Sequence, residues 1–121
     1  MRLLIITIVF GLLFGSVFAE EDGFILVDQQ VNIVSDVVNS QDRMQNFAYV
    51  VQIKNDEGVT VSLAWITGAL SPNQRLSPGL SWTPESAGMY VAEIFVWDSI
   101  TNPEPLSPPL YLEIDVRDNP V

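Results

Sequence analysis

Beyond its first nineteen residues, the sequence predicts an all-β fold: a sandwich of about seven antiparallel strands in Greek-key order. Three observations predict it. Apolar and polar residues alternate with period two through Val31–Val38, Phe47–Ile53, Met89–Trp97 and Leu110–Val116. Turn-forming clusters separate these runs at Asn39–Asp42, Asn55–Gly58 and Ser71–Asn73. Finally, Ser81–Val96, SWTPESAGMYVAEIFV, reads as a short strand, a proline-marked corner, and a long strand opened by Gly88-Met89-Tyr90. No helical period stands out after residue 19.

Residues 1–19 form a different kind of segment. Arg2 is followed by an apolar run from Leu3 to Phe14, broken only by Thr7 and Gly11, with small residues Val17 and Ala19 before Glu20. That is the pattern of a cleaved secretory signal peptide; an uncleaved anchor, at the short edge of a membrane span, is the alternative. Export makes residues 20–121 one secreted or cell-surface domain, close to the ~100 residues of a single immunoglobulin-like sandwich. The chain has no cysteine, so a core without disulfides has to hold it.

Each element follows in order. Glu20-Glu21-Asp22-Gly23 is a polar start, and Phe24–Val27 a short apolar strand. Strand B, Val31–Val38, turns Val31, Ile33, Ser35 and Val37 to one side. Strand C does the same with Phe47, Tyr49, Val51 and Ile53. After the Asn55–Gly58 turn, Val59–Ile66 presents Val61, Leu63 and Trp65 on one face, taken here as the inward one. Gln74–Trp82 contains Pro78, so that strand is at an edge or bulged. Strand F points Tyr90, Ala92, Ile94 and Val96 inward; Asp98–Pro109 is a proline-rich F–G loop; strand G turns Leu110, Leu112, Ile114 and Val116 inward. Gly88 and Tyr90 then stand where an immunoglobulin-like sandwich has its tyrosine corner, the phenol bonding back across the turn.

These segments resemble the fibronectin type III/CARDB-like branch of immunoglobulin-like domains. Val31–Asn39, Leu80-Ser81-Trp82-Thr83-Pro84 and Gly88-Met89-Tyr90-Val91-Ala92-Glu93-Ile94 carry the resemblance, which extends to modules of secreted and cell-surface archaeal proteins. It implies fold far more than function, because such domains serve as spacers, adhesins, subunits and binding accessories alike. The missing cysteine pair sets the chain apart from antibody-type domains.

Composition narrows the chemistry. With no histidine and no cysteine, and with Lys54 as the sole lysine, a serine or cysteine nucleophile lacks its usual base. Blue-copper and structural zinc sites lack their ligands, so no catalytic residue and no cofactor is expected. The net charge is −10 at pH 7, which repels phosphate backbones and argues against nucleic-acid binding. Acidic groups at Glu20–Asp22, Asp56-Glu57 and Asp115 with Asp118 suit weak calcium binding, but none has the spacing of a dedicated loop.

Two features point to partners. If strand F faces inward at Tyr90, then Met89, Val91, Phe95 and Trp97 face outward beside Ala48 and Val50 of strand C. An outward apolar patch marks contact with another molecule. Val50, Val91, Phe95 and Trp97 are therefore candidate residues for binding other cell-envelope or extracellular proteins, or a second copy. Covering by Phe24–Val27 or by the proline-rich loop is the competing account. The second feature is that loop itself, Asn102–Pro109, which could serve a soluble ligand- or carbohydrate-binding module.

Overall fold

A computed structural model of the chain describes residues 2–10, 14–18 and 24–119, and these contain no helix. Ten strands run in chain order: β1 (Arg2–Phe10), β2 (Phe14–Phe18), β3 (Ile25–Leu26), β4 (Val31–Asn39), β5 (Gln45–Lys54), β6 (Thr60–Leu70), β7 (Arg75–Leu76), β8 (Gly79–Trp82), β9 (Gly88–Trp97) and β10 (Leu110–Arg117). They form two five-stranded sheets. Sheet I has the order β2-β1-β4, with β7 and β8 both on the far side of β4; sheet II has the order β3-β10-β9-β5-β6. The chain changes sheet at β2–β3, β3–β4, β4–β5, β6–β7 and β8–β9, giving an immunoglobulin-like sandwich.

The period-two signal is realised where it is cleanest. Val31, Ile33, Ser35 and Val37 of β4 are buried, as are Phe47, Tyr49, Val51 and Ile53 of β5. Tyr90, Ala92, Ile94 and Val96 of β9 and Leu112, Ile114 and Val116 of β10 complete the cluster. Each valine, leucine, isoleucine or phenylalanine among them contributes roughly 1.5–3 kcal/mol on leaving water. The expected break at Pro78 is present. β7 and β8 are halves of one strand, separated by Ser77–Pro78, and the Pro78 carbonyl still accepts the Ser35 N–H at 3.1 Å.

Two pairings are parallel. β3 pairs with the last two residues of β10 (Ile25↔Val116, Leu26↔Arg117), and β1 runs beside β4 from Arg2↔Val31 to Phe10↔Asn39. β1 and β2 fall within residues 1–19, where the sequence expects a leader. The expected cleavage point at Ala19 and the acidic start Glu20–Gly23 lie outside the described residues.

Two expectations are corrected. Asn39 is not a turn residue but the buried last residue of β4. Its amide donates to the carbonyls of Arg43 (2.8 Å), Leu70 (3.2 Å) and Ser71 (3.1 Å), and its Oδ1 accepts the Gln41 N–H at 3.1 Å. One side chain thus ties strand ends from both sheets together. The second correction is the phase of β6. Trp65 and Leu63 are about half exposed, not inward; the small residues Ser62, Ala64 and Gly68 face the core instead, opposite Ile53, Val51 and Phe47. The cause is a β-bulge. At the turn Lys54 faces Thr60, but one residue further Ile53 faces Ser62, so Val61 is an extra residue. An extra residue moves every later side chain to the other face.

Candidate functional site: the outer face of sheet II

The site is built on three adjacent strands, β9, β5 and β6, with β10 at its margin. Side chains directly opposite one another in an antiparallel pair share a face. The register therefore lays out the outer surface row by row. Trp97, Ala48 and Thr67 form one row; Phe95, Val50 and Trp65 form the next; Tyr111, Glu93, Gln52 and Leu63 form the third. Below them lie Val91 with Lys54 and Glu113, then Met89 opposite Asp115.

The four sequence-predicted contact residues, Val50, Val91, Phe95 and Trp97, all lie on this face, and three have a direct neighbour relation: Phe95 opposes Val50 and stacks beside Trp97, ring centroids 5.4 Å apart. Their exposure is uneven. Val50 is 3% exposed and belongs to the floor of the surface, whereas Phe95, Trp97 and Val91 are partly buried. The atoms most open to solvent belong to Leu63 (53%), Trp65 (51%), Met89 (46%) and Tyr111 (57%). Leu63 and Trp65 escaped the sequence reading because the bulge reverses their phase. The surface is apolar at the Trp97–Trp65 end. At the other end it is charged, with Lys54 Nζ 3.2 Å from Glu93 Oε1.

Of the two segments considered as covers, one lies beside β10 and the other beside the end of β9. Phe24 sits under the Arg117 guanidinium at 4.3 Å, and Ile25 is buried in the core beside β10. The proline-rich loop closes on itself through Asp98 N–H to the Glu104 carbonyl (2.9 Å). It docks on the end of β9 through Leu106 N–H to the Val96 carbonyl (2.8 Å), with Leu106 packed on the core. Trp97 bridges to Pro105 at that strand end.

The corner is structural. Tyr90 donates its hydroxyl to the Ser86 carbonyl at 2.7 Å, lies 3.0 Å from Ser86 Oγ, and packs edge-on against Trp82 at 5.0 Å. Gly88 has φ +150°, a region in which a Cβ is disfavoured. A cleft of about 230 Å³ opens beside this corner, lined by Val61, Trp82, Thr83, Glu85, Ser86 and Tyr90. As for cations, Asp56 and Glu57 lie exposed in the hairpin turn, and Asp115 is bonded to Arg117 at 3.0 Å. Among the described residues, no three acidic side chains gather into a set that could hold a metal ion.

The sheet order, the divided strand beside β4 and the tyrosine corner together define an immunoglobulin-like β-sandwich whose sheet II is apolar at one end of its outer face. No protein-family model matches the chain, and no curated protein matches it. Among solved structures it is similar to a β-glucuronidase from glycoside hydrolase family 2, at 14% identity and a TM-score of 0.60, over 75% of this chain and 10% of that one. This likeness shows the fold alone: the matched part spans about a tenth of the enzyme's chain.

Proposed function

We propose that this protein is an exported, non-catalytic immunoglobulin-like module that binds other cell-envelope or extracellular proteins through the outer face of sheet II. One observation carries the reading: Leu63, Trp65, Phe95 and Trp97 lie on adjacent rows of one sheet face, where a solvated antiparallel sheet normally alternates to polar side chains. Aromatic anchors of this kind supply most of the energy of protein interfaces. Export rests on Arg2, the apolar run after it and the small residues at Val17 and Ala19. The fibronectin type III/CARDB-like resemblance agrees with a structural or interaction role.

The test uses two baits side by side, the wild-type domain and the Phe95→Ser/Trp97→Ser double variant, with cell-surface extract of the producing organism. A defined protein retained by the wild type and lost by the variant, at matched thermal stability of the two baits, supports the reading. Identical recoveries from both baits would overturn it.

A further inference from the structure

We infer that β6 is a strand-pairing edge, and that a second copy of this chain adds to it in antiparallel register across a two-fold axis. β6 is the terminal strand of sheet II, so among the described residues its outer row of backbone N–H and C=O groups pairs with no strand. It is eleven residues long. Natural edges of that length are guarded by lysine, proline, inward charge or a twisting β-bulge. This one carries only the bulge at Val61, near its start: from Gly58 to Gln74 the only proline is Pro72, past the strand, and no residue is charged. An uncharged edge is notable in a chain of net charge −10, because it is where two copies meet with least repulsion.

The ends of the segment favour a second copy, and an antiparallel one. Asp56 and Glu57 precede the uncharged stretch, and the exposed Arg75 follows it. Antiparallel pairing about the middle of β6 brings the acidic turn of each copy to the Arg75 end of the other. Parallel pairing would set acid against acid. A two-fold seam is isologous and consumes both β6 edges, so it closes. It also extends sheet II without a break in its outer face. For that, Trp65 must meet an outward residue of the partner, which restricts the register to Trp65 opposite position 63, 65 or 67 or a similar odd-numbered neighbour. The inference uses the backbone of β6 and not the Phe95–Trp97 surface, so it stands or falls separately from the proposed function.

The chain's lack of cysteine makes a direct test available. Single cysteines are introduced in turn as Leu63→Cys, Trp65→Cys and Thr67→Cys, with Met89→Cys as a control on β9, two strands in from β6. The purified proteins are then oxidised and sedimented over a wide concentration range. The expected result is a dimer whose cross-linking peaks at one β6 position, and is absent at Met89. Thr67→Lys, an exposed edge position, should raise the dimer dissociation constant about tenfold or more, because the charge enters the seam twice. Its melting temperature, measured on the monomer, shows that the fold is kept. Phe95→Ser/Trp97→Ser should leave the dimer in place. A monomer at every concentration overturns the inference, as does a dimer that Thr67→Lys leaves unchanged or that Met89→Cys cross-links equally well.

Discussion

Replacing Tyr49 by phenylalanine should flatten the loss of stability in alkali. Tyr49 is fully buried between the sheets, where its phenol accepts the Ser35 hydroxyl at 2.9 Å and donates to the Ile33 carbonyl at 3.2 Å. Burial pushes its pKa up from 10.0 to about 12, and the Ser35 hydrogen bond only partly offsets that. The sign follows from which state releases its proton first. In the unfolded chain Tyr49 ionises near pH 10, in the folded chain near pH 12. Between those values the unfolded state binds fewer protons, so stability falls as pH rises. The contribution is whole below pH 10 and is lost by about pH 12. Two pH units correspond to roughly 3 kcal/mol, a large part of the ~5–15 kcal/mol that holds a typical domain. Urea unfolding at steps from pH 8 to pH 12, followed by tryptophan fluorescence, measures the slope. Tyr49→Phe should be less stable at neutral pH by about 1–2 kcal/mol, from the broken hydrogen bonds, yet lose less on going to pH 12. Parallel losses in the two proteins across that range would refute the assignment.

Three further outcomes follow from single contacts. Tyr90→Phe should cost about 1 kcal/mol in urea unfolding, the value of its bond to the Ser86 carbonyl; a change near zero would argue against a working corner. Asn39→Ala should cost about 2–3 kcal/mol, because the carbonyls of Leu70 and Ser71 lose their shared donor, and the loss should appear as a lower urea midpoint at unchanged slope. Gly68→Ala should cost about 1–3 kcal/mol by overpacking, since a Cβ there would stand 3.1 Å from the Phe47 ring; a thermal melt reads it, and Phe47→Leu in the same chain should recover part of the loss.

Most of the sandwich was legible because its central strands bury every second residue, although β5 also buries the outward Ala48 and Val50. In β4, β5, β9 and β10 the inward residues recur at every second position, and both neighbours of each strand agree with that phase. Pro78 announced the divided strand, since it has no N–H to give to β4. The Gly88–Tyr90 corner was legible as a local motif whose geometry needs only five residues, Ser86 to Tyr90. What escaped the sequence depended on pairing rather than on pattern. Asn39 resembles a turn residue until the carbonyls of Leu70 and Ser71, more than thirty positions away, are placed beside it. The parallel register of β1 on β4 has no sequence signature either.

The misread phase of β6 explains why the candidate surface is larger than the sequence suggested. A hairpin that kept the pairing of Lys54 with Thr60 would put Val50 opposite Ala64 and send Trp65 into the core. There it would stand on the inner face opposite the fully buried Tyr49, where the observed register places the smaller Ile66. Inserting Val61 as a bulge resolves the conflict by turning the small residues in and Leu63 and Trp65 out. Packing in the interior thereby sets the composition of the exterior. The result is two large apolar side chains, each about half exposed, next to Phe95 and Trp97 on a surface a partner can desolvate. Full burial of side chains of this size is worth roughly 1.5–3 kcal/mol each. The half still exposed on Leu63 and Trp65 therefore holds enough unused burial energy to shift a binding equilibrium by about tenfold or more.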